Sequence, residues 1–137
     1  MIGAARQQER SPLTREAMTL LDDNSRRACD SLDGVKDGVI NDPRLCTEER
    51  LELDKLVCAS GQTSNCLTAG QVDTARYMYA DQFDGSGQMV SPGVLPGAEA
   101  AGDWEFWMLK NPLLGSESLI GGMADTCLLY TSPSPRD

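Results

Sequence analysis

The sequence predicts an α+β or largely irregular fold of short helices and long loops, held by cross-links more than by a large core. Three observations predict it. Hydrophobic residues make up 40% of the 137-residue chain and aromatics 5%, so the buried core is modest. Gly, Pro, Ser and Asp are scattered through the second half and interrupt any long element. Five cysteines offer covalent ties in place of packing.

The elements follow in order. Residues 1–10 are polar and read as an irregular segment. Ser11 followed by Pro12 has the form of a hydroxyl cap with proline at the first helical position. Leu13, Ala17, Leu20, Leu21 and Ala28 recur at helical spacing, which predicts an amphipathic helix over about residues 12–28. Leu51, Leu53, Leu56 and Val57 form a short mixed segment that is helical or extended. Cys58 and Cys66 bracket a turn-rich loop. Thr68 and Gln71 stand at capping-box spacing and predict a helix over about 69–80 that buries Val72, Ala75, Met78 and Tyr79. From Asp81 to Gly102 the chain is rich in Gly and Pro, with a short strand expected at Met89-Val90. Trp104, Phe106 and Trp107 then cluster. No apolar run approaches membrane-spanning length, and there is no internal repeat.

Charge and composition exclude several functions. A net charge of −9 repels nucleic acid and anionic membrane surfaces, so neither is an expected partner. The chain has no histidine, which removes the commonest general base and any histidine-containing triad or zinc site from these residues. No Ser stands beside a nominated base, so no catalytic nucleophile is assigned.

The richest stretch runs from Cys29 to Cys46. Asp30, Asp33 and Asp37 crowd together here, with Gly34 and Gly38 beside them. Closely spaced carboxylates repel unless a cation sits among them, and hard oxygen donors suit calcium. Ligand spacing does not follow the EF-hand register. Alternating donors fit better: Asp30, Asp33 and Asp37 through carboxylates, Val35 and Val39 through main-chain oxygens. Magnesium is disfavoured because it keeps its waters. The rival reading is a solvated acidic turn.

The tail from Cys127 to Asp137 matches, codon by codon, a transposase-type sequencing adapter. It is expected to be adapter read-through instead of a natural Ser/Pro-rich linker, and the natural chain is expected to continue past Thr126. Setting Cys127 aside leaves Cys29, Cys46, Cys58 and Cys66, with three possible connectivities. Pairing Cys29 with Cys46 and Cys58 with Cys66 lets each bond bracket its own loop. Reduced structural cysteines are the alternative. Paired cysteines imply an oxidising compartment, so a secreted or periplasmic protein is expected, although the residues after Met1 do not read as a signal peptide. The aromatic cluster either packs in the core or lines a site for an aromatic ligand.

The run from Ala28 to Cys46 resembles the calcium-loop signature of the tannase and feruloyl esterase family, which includes the hydrolase of mono(2-hydroxyethyl) terephthalate. Cys66-Leu-Thr-Ala-Gly-Gln-Val opening a helix, and Pro96-Gly-Ala-Glu99 before a tryptophan, agree; the resemblance runs from about Ser11 to Trp107. It implies that residues 11–126 are part of a disulfide- and calcium-stabilised lid inserted in an α/β-hydrolase. It implies calcium on Asp30, Asp33, Val35, Asp37 and Val39, disulfides Cys29–Cys46 and Cys58–Cys66, and substrate contact through Trp104 or Trp107. The family's Cys-Ser-x-Gly-Gly nucleophile turn and its Asp and His are missing from these residues, and Thr-Glu-Glu-Arg follows Cys46 where Phe-Asp-Pro is usual. The resemblance therefore implies an inactive fragment of a secreted serine esterase for small aromatic or phenolic esters. A calcium-dependent interaction module of dockerin type is the alternative, weakened because only one loop copy exists.

Overall fold

The structure, a computed structural model, describes residues 10–109; the adapter-like tail and the first nine residues lie outside them. Helix α1 spans Arg15–Cys29. It begins three residues later than the Ser11-Pro12 signal predicts. Thr14 is the cap, its side chain accepting from the Ala17 N–H at 3.2 Å. Ser11 and Pro12 are used elsewhere: the Ser11 carbonyl accepts from Thr74 Oγ1 at 2.9 Å and the Pro12 carbonyl from Gln71 Nε2 at 3.0 Å. The two carbonyls therefore tie this strand of chain to a helix about sixty residues on and cannot begin α1. The stripe Ala17, Met18, Leu21 and Cys29 is buried, while Leu20 and Ala28 are partly so.

After Cys46 the mixed segment is helical. A single turn, α2, covers Glu48–Leu51, Glu52 adopts a left-handed conformation (φ 44), and a 3-10 turn follows over Leu53–Leu56. Its alternating pattern suits neither period because Leu51 and Leu53 are buried from two consecutive turns of different pitch. Asn24 Nδ2 donates to the Leu51 carbonyl at 2.8 Å, fastening α1 to α2. Val57 and Leu67 form an isolated parallel bridge that closes the neck of the Cys58–Cys66 loop.

Helix α3 spans Ala69–Tyr79, and its capping box forms in full: Gln71 N–H donates to Thr68 Oγ1 at 3.1 Å and Thr68 N–H to Gln71 Oε1 at 3.0 Å. Val72 and Ala75 are buried; Met78 and Tyr79 pack at the core's edge. A two-stranded antiparallel hairpin follows, β1 (Gln82–Phe83) with β2 (Met89–Ser91), irregular in register between Gln82 and Phe83. Asp84 braces its turn, Oδ1 accepting from Ser86 N–H, Ser86 Oγ–H and Gln88 N–H. The Ser86 hydroxyl bond, with the two amides behind it, holds the Asp84 carboxyl below the usual carboxylate range. The last helix, α4 (Asp103–Met108), opens at Gly102, whose φ of 100 no side chain tolerates easily.

One core joins these pieces. Leu13, Met18 and Leu21 meet Leu51, Leu53, Leu67, Val72, Trp104 and Met108 around the Cys29–Cys46 bond. Among the described residues no helix is long and apolar enough to cross a membrane.

Candidate functional site

Helix α1 delivers Cys29 and Asp30 together into the acidic loop. Cys29 pairs with Cys46 across 5.6 Å between Cα atoms, and both residues are buried. The ends of the loop are therefore fixed to the core, and its middle is free to turn.

Asp30 sits at the root, 9% exposed, in a 3-10 turn over Asp30–Asp33. Its Oδ1 accepts from Gly38 N–H at 2.8 Å and Asp37 N–H at 3.2 Å, folding the far side of the loop back onto the helix end. Asp33 Oδ1 accepts from Val35 N–H at 2.9 Å, and Asp37 Oδ1 from Val39 N–H at 3.0 Å. Asn41 Nδ2 donates to the second oxygen of Asp33. Each aspartate thus makes a local turn with the amide two residues on or closes the ring. Gly34 and Gly38 have φ of 88 and 82, which lets the chain reverse twice in five residues. The side chains of Val35 and Val39 are about half exposed, so their apolar character adds little to the core. Their carbonyl oxygens accept no backbone hydrogen bond among the described residues.

These donors fit a hard cation in kind: three carboxylates and two main-chain oxygens, all oxygen, from one closed ring. They are not gathered around a point. Among the described residues no three His, Cys, Asp or Glu side chains converge as a metal cluster. The physical reason is visible in the bonds just given: the carboxylates are turned onto neighbouring amides. An ion would compete with those bonds, each worth about 1 kcal/mol net.

The second disulfide, Cys58–Cys66, spans 4.8 Å between Cα atoms and is half-buried. Beside it runs a groove of about 850 Å³, walled by the cap residue Thr14, by α1 through Asp23 and by the loop through Gln62 and Asn65. It is lined by none of the predicted calcium or substrate residues.

The aromatic cluster divides. Trp104 is 4% exposed and packs on Tyr79, ring centres 5.5 Å apart. It lies in the core cluster, the packing alternative offered for the aromatic run. Trp107 and Phe106 stay 41% and 49% exposed and stack edge to face at 5.5 Å. Arg15 clamps this helix to α1 through a two-pronged ion pair with Glu105.

Sequence reasoning missed what lies beneath. Glu99 is fully buried and accepts from Tyr79 Oη–H at 2.6 Å, Ser25 Oγ–H at 2.7 Å and Gly97 N–H at 2.9 Å. Burial, then the Glu99 charge, pushes the Tyr79 hydroxyl well above its ordinary value. The Pro-Gly-Ala-Glu run was the only signal in the sequence for this node, and nothing in it reveals the burial.

Solved structures that this chain resembles include esterases. It superposes on the crystal structure of feruloyl esterase B from Aspergillus oryzae with TM-score 0.63 at 33% identity, over 70% of this chain and 19% of that one. A second esterase from Aspergillus oryzae, 22% identical with TM-score 0.63, shares the fold. Residues 3–117 match the tannase and feruloyl esterase family, and the chain belongs to that family. Among curated relatives it is 38% identical over 88 residues to probable feruloyl esterase B of Emericella nidulans, covering 64% of this chain and 16% of that protein. It is 38% identical over 74 residues to probable feruloyl esterase B-1 of Aspergillus flavus, covering 53% and 14%. The chain therefore spans less than a fifth of the length of these relatives.

Proposed function

We propose that these residues form part of the lid of a secreted serine carboxylic ester hydrolase that cleaves aromatic and phenolic acid esters. The observation that carries the reading is the family match over residues 3–117; the esterase structures that share the fold support it. The dockerin-type alternative gains nothing from either comparison.

The division of labour follows from the residues present. With no histidine, the chain cannot supply the imidazole that activates a serine; the acyl-transfer triad belongs to other parts of the parent protein. What this segment contributes is a surface and its support. Exposed Phe106 and Trp107 offer an apolar, polarizable face to an aromatic acyl group, held in place by buried Trp104 and Met108 beneath and the Arg15–Glu105 pair beside. Asp30, Asp33, Asp37 and the carbonyls of Val35 and Val39 are the residues that would hold calcium. Bound there, the ion would supply charge neutralisation and rigidity to the acidic ring. The two disulfides support an extracellular or periplasmic location.

Release of ferulate from methyl ferulate tests the reading in two arms. The intact parent enzyme is expected to turn over and to lose most of its kcat/KM, by about tenfold or more, on Trp107→Ala. The isolated 137-residue chain is expected to give no turnover. Hydrolysis by the isolated chain, or a parent with no esterase activity on any aromatic ester, would overturn it.

A further inference from the structure

Glu99 is the most deeply buried acidic side chain among the described residues, at 0% exposure. Its Oε1 accepts from the Tyr79 and Ser25 hydroxyls, and its Oε2 from the Gly97 amide. A carboxylate accepts without donating, so it meets all three donors without conflict. Bonds of this charged kind are strongest in a water-poor interior. One side chain therefore gathers α1, the last residue of α3 and the turn that leads to α4. Ala101 N–H donates to the Ala98 carbonyl at 3.2 Å, so only a tight turn separates Glu99 from Gly102, the cap of α4.

Tyr79 carries the anchor onward. Its hydroxyl is held by Glu99 at 2.6 Å, and its ring packs on Trp104 with centres 5.5 Å apart. Trp104 stands in the first turn of α4, three residues before Trp107. A helix of six residues is too short to hold its shape by backbone bonds alone, so its tertiary contacts fix its place. The Arg15–Glu105 pair is exposed and holds weakly in water; the Trp104 contact is buried. We propose that Glu99 is a positioning residue: acting through Tyr79 and the turn at Gly97, it sets the pitch of α4 and so the face formed by Phe106 and Trp107. This rests on the reading of that face as a surface for aromatic acyl groups.

Two variants test it. Glu99→Gln keeps the shape and sets an amide donor among three donors; Tyr79→Phe keeps the ring on Trp104 and deletes only the bond to Glu99. If the first does not fold, the second still decides. In the oxidised full chain, the Phe106 and Leu109 amides, which close α4 onto Gly102 and Glu105, should exchange about tenfold faster relative to the amides of α1. Equal acceleration in both helices, or none in α4, overturns the proposal. In the intact parent enzyme, Tyr79→Phe should raise KM for methyl ferulate about fivefold with kcat within twofold. In a Trp107→Ala background the same change should move KM less than twofold, because the face it positions is gone. A full fivefold effect in that background also overturns the proposal. A parent whose KM ignores Trp107→Ala would instead remove the substrate role of the face, and the exchange measurement alone would then judge the anchor.

Discussion

Removing the two disulfides one at a time should cost different amounts, and the structure says how different. In the chain-entropy picture, a closed loop of 17 residues (Cys29–Cys46) is worth about 3 kcal/mol, and one of 8 residues (Cys58–Cys66) about 2.5 kcal/mol. Entropy alone hardly separates them. Burial does. Cys29 and Cys46 are 1% and 5% exposed and sit inside the core cluster, so replacing both by alanine also opens a void, adding about 1–2 kcal/mol. Cys58 and Cys66 lie half-buried beside an open groove, where truncation leaves little unfilled space. The paired variant Cys29→Ala/Cys46→Ala should therefore lose about 4–5 kcal/mol, and Cys58→Ala/Cys66→Ala about 2–3 kcal/mol. Against a total stability of about 5–15 kcal/mol, the first loss takes the chain near unfolding. Urea denaturation followed by far-ultraviolet circular dichroism measures both. With a slope of about 1.5 kcal/mol per molar, the first midpoint should fall by about 3 M and the second by about 1.5 M. An equal or larger fall for the outer pair would refute the reasoning that burial separates the two bonds.

Further outcomes follow from other contacts. Tyr79 has a raised pKa when folded, so its contribution is intact below the ordinary tyrosine value near 10 and is lost as pH rises above it, by up to about 1.4 kcal/mol per pH unit; in a stability–pH series, Tyr79→Phe should remove that alkaline slope, and an unchanged slope would assign it to another group. A Cβ on Gly93 would run into the Tyr79 backbone carbonyl, so Gly93→Ala should destabilise by about 1–3 kcal/mol, read as a lower thermal midpoint; an unchanged midpoint would show that the backbone yields freely there. Asp33→Ala should abolish calcium affinity while leaving the Cys29–Cys46 bond formed, checked by calorimetric titration and thiol counting; undiminished binding would remove Asp33 from the ligand set.

Much of this fold was legible because its signals are local. The Thr68–Gln71 box needs only four residues to form, and it appears as read. The helix before Cys29 is there too, because its apolar stripe has the right period; its start moved because the Ser11 and Pro12 carbonyls bond α3, a long-range choice that no local signal carries. The same distinction separates Trp104 from Trp107. Both are tryptophans on one short helix, and the placement of the distant core residues, Tyr79 at its edge included, decides which is covered. Glu99 and Asp22 were invisible as buried groups, since a charged residue reads as surface until its partners, up to 74 residues away, are placed around it. In the acidic loop the crowding of aspartates and glycines could be read from spacing; that the carboxylates turn onto amides at 35, 37, 38 and 39 could not.

Calcium titration of the oxidised chain, by calorimetry after chelator treatment, is decisive for the acidic ring. One ion should bind per chain, with heat that disappears when Asp30 or Asp37 is replaced by alanine, and calcium should raise the urea midpoint. A folded, correctly disulfide-bonded chain that takes up no calcium, or that binds it equally well without those aspartates, would contradict it.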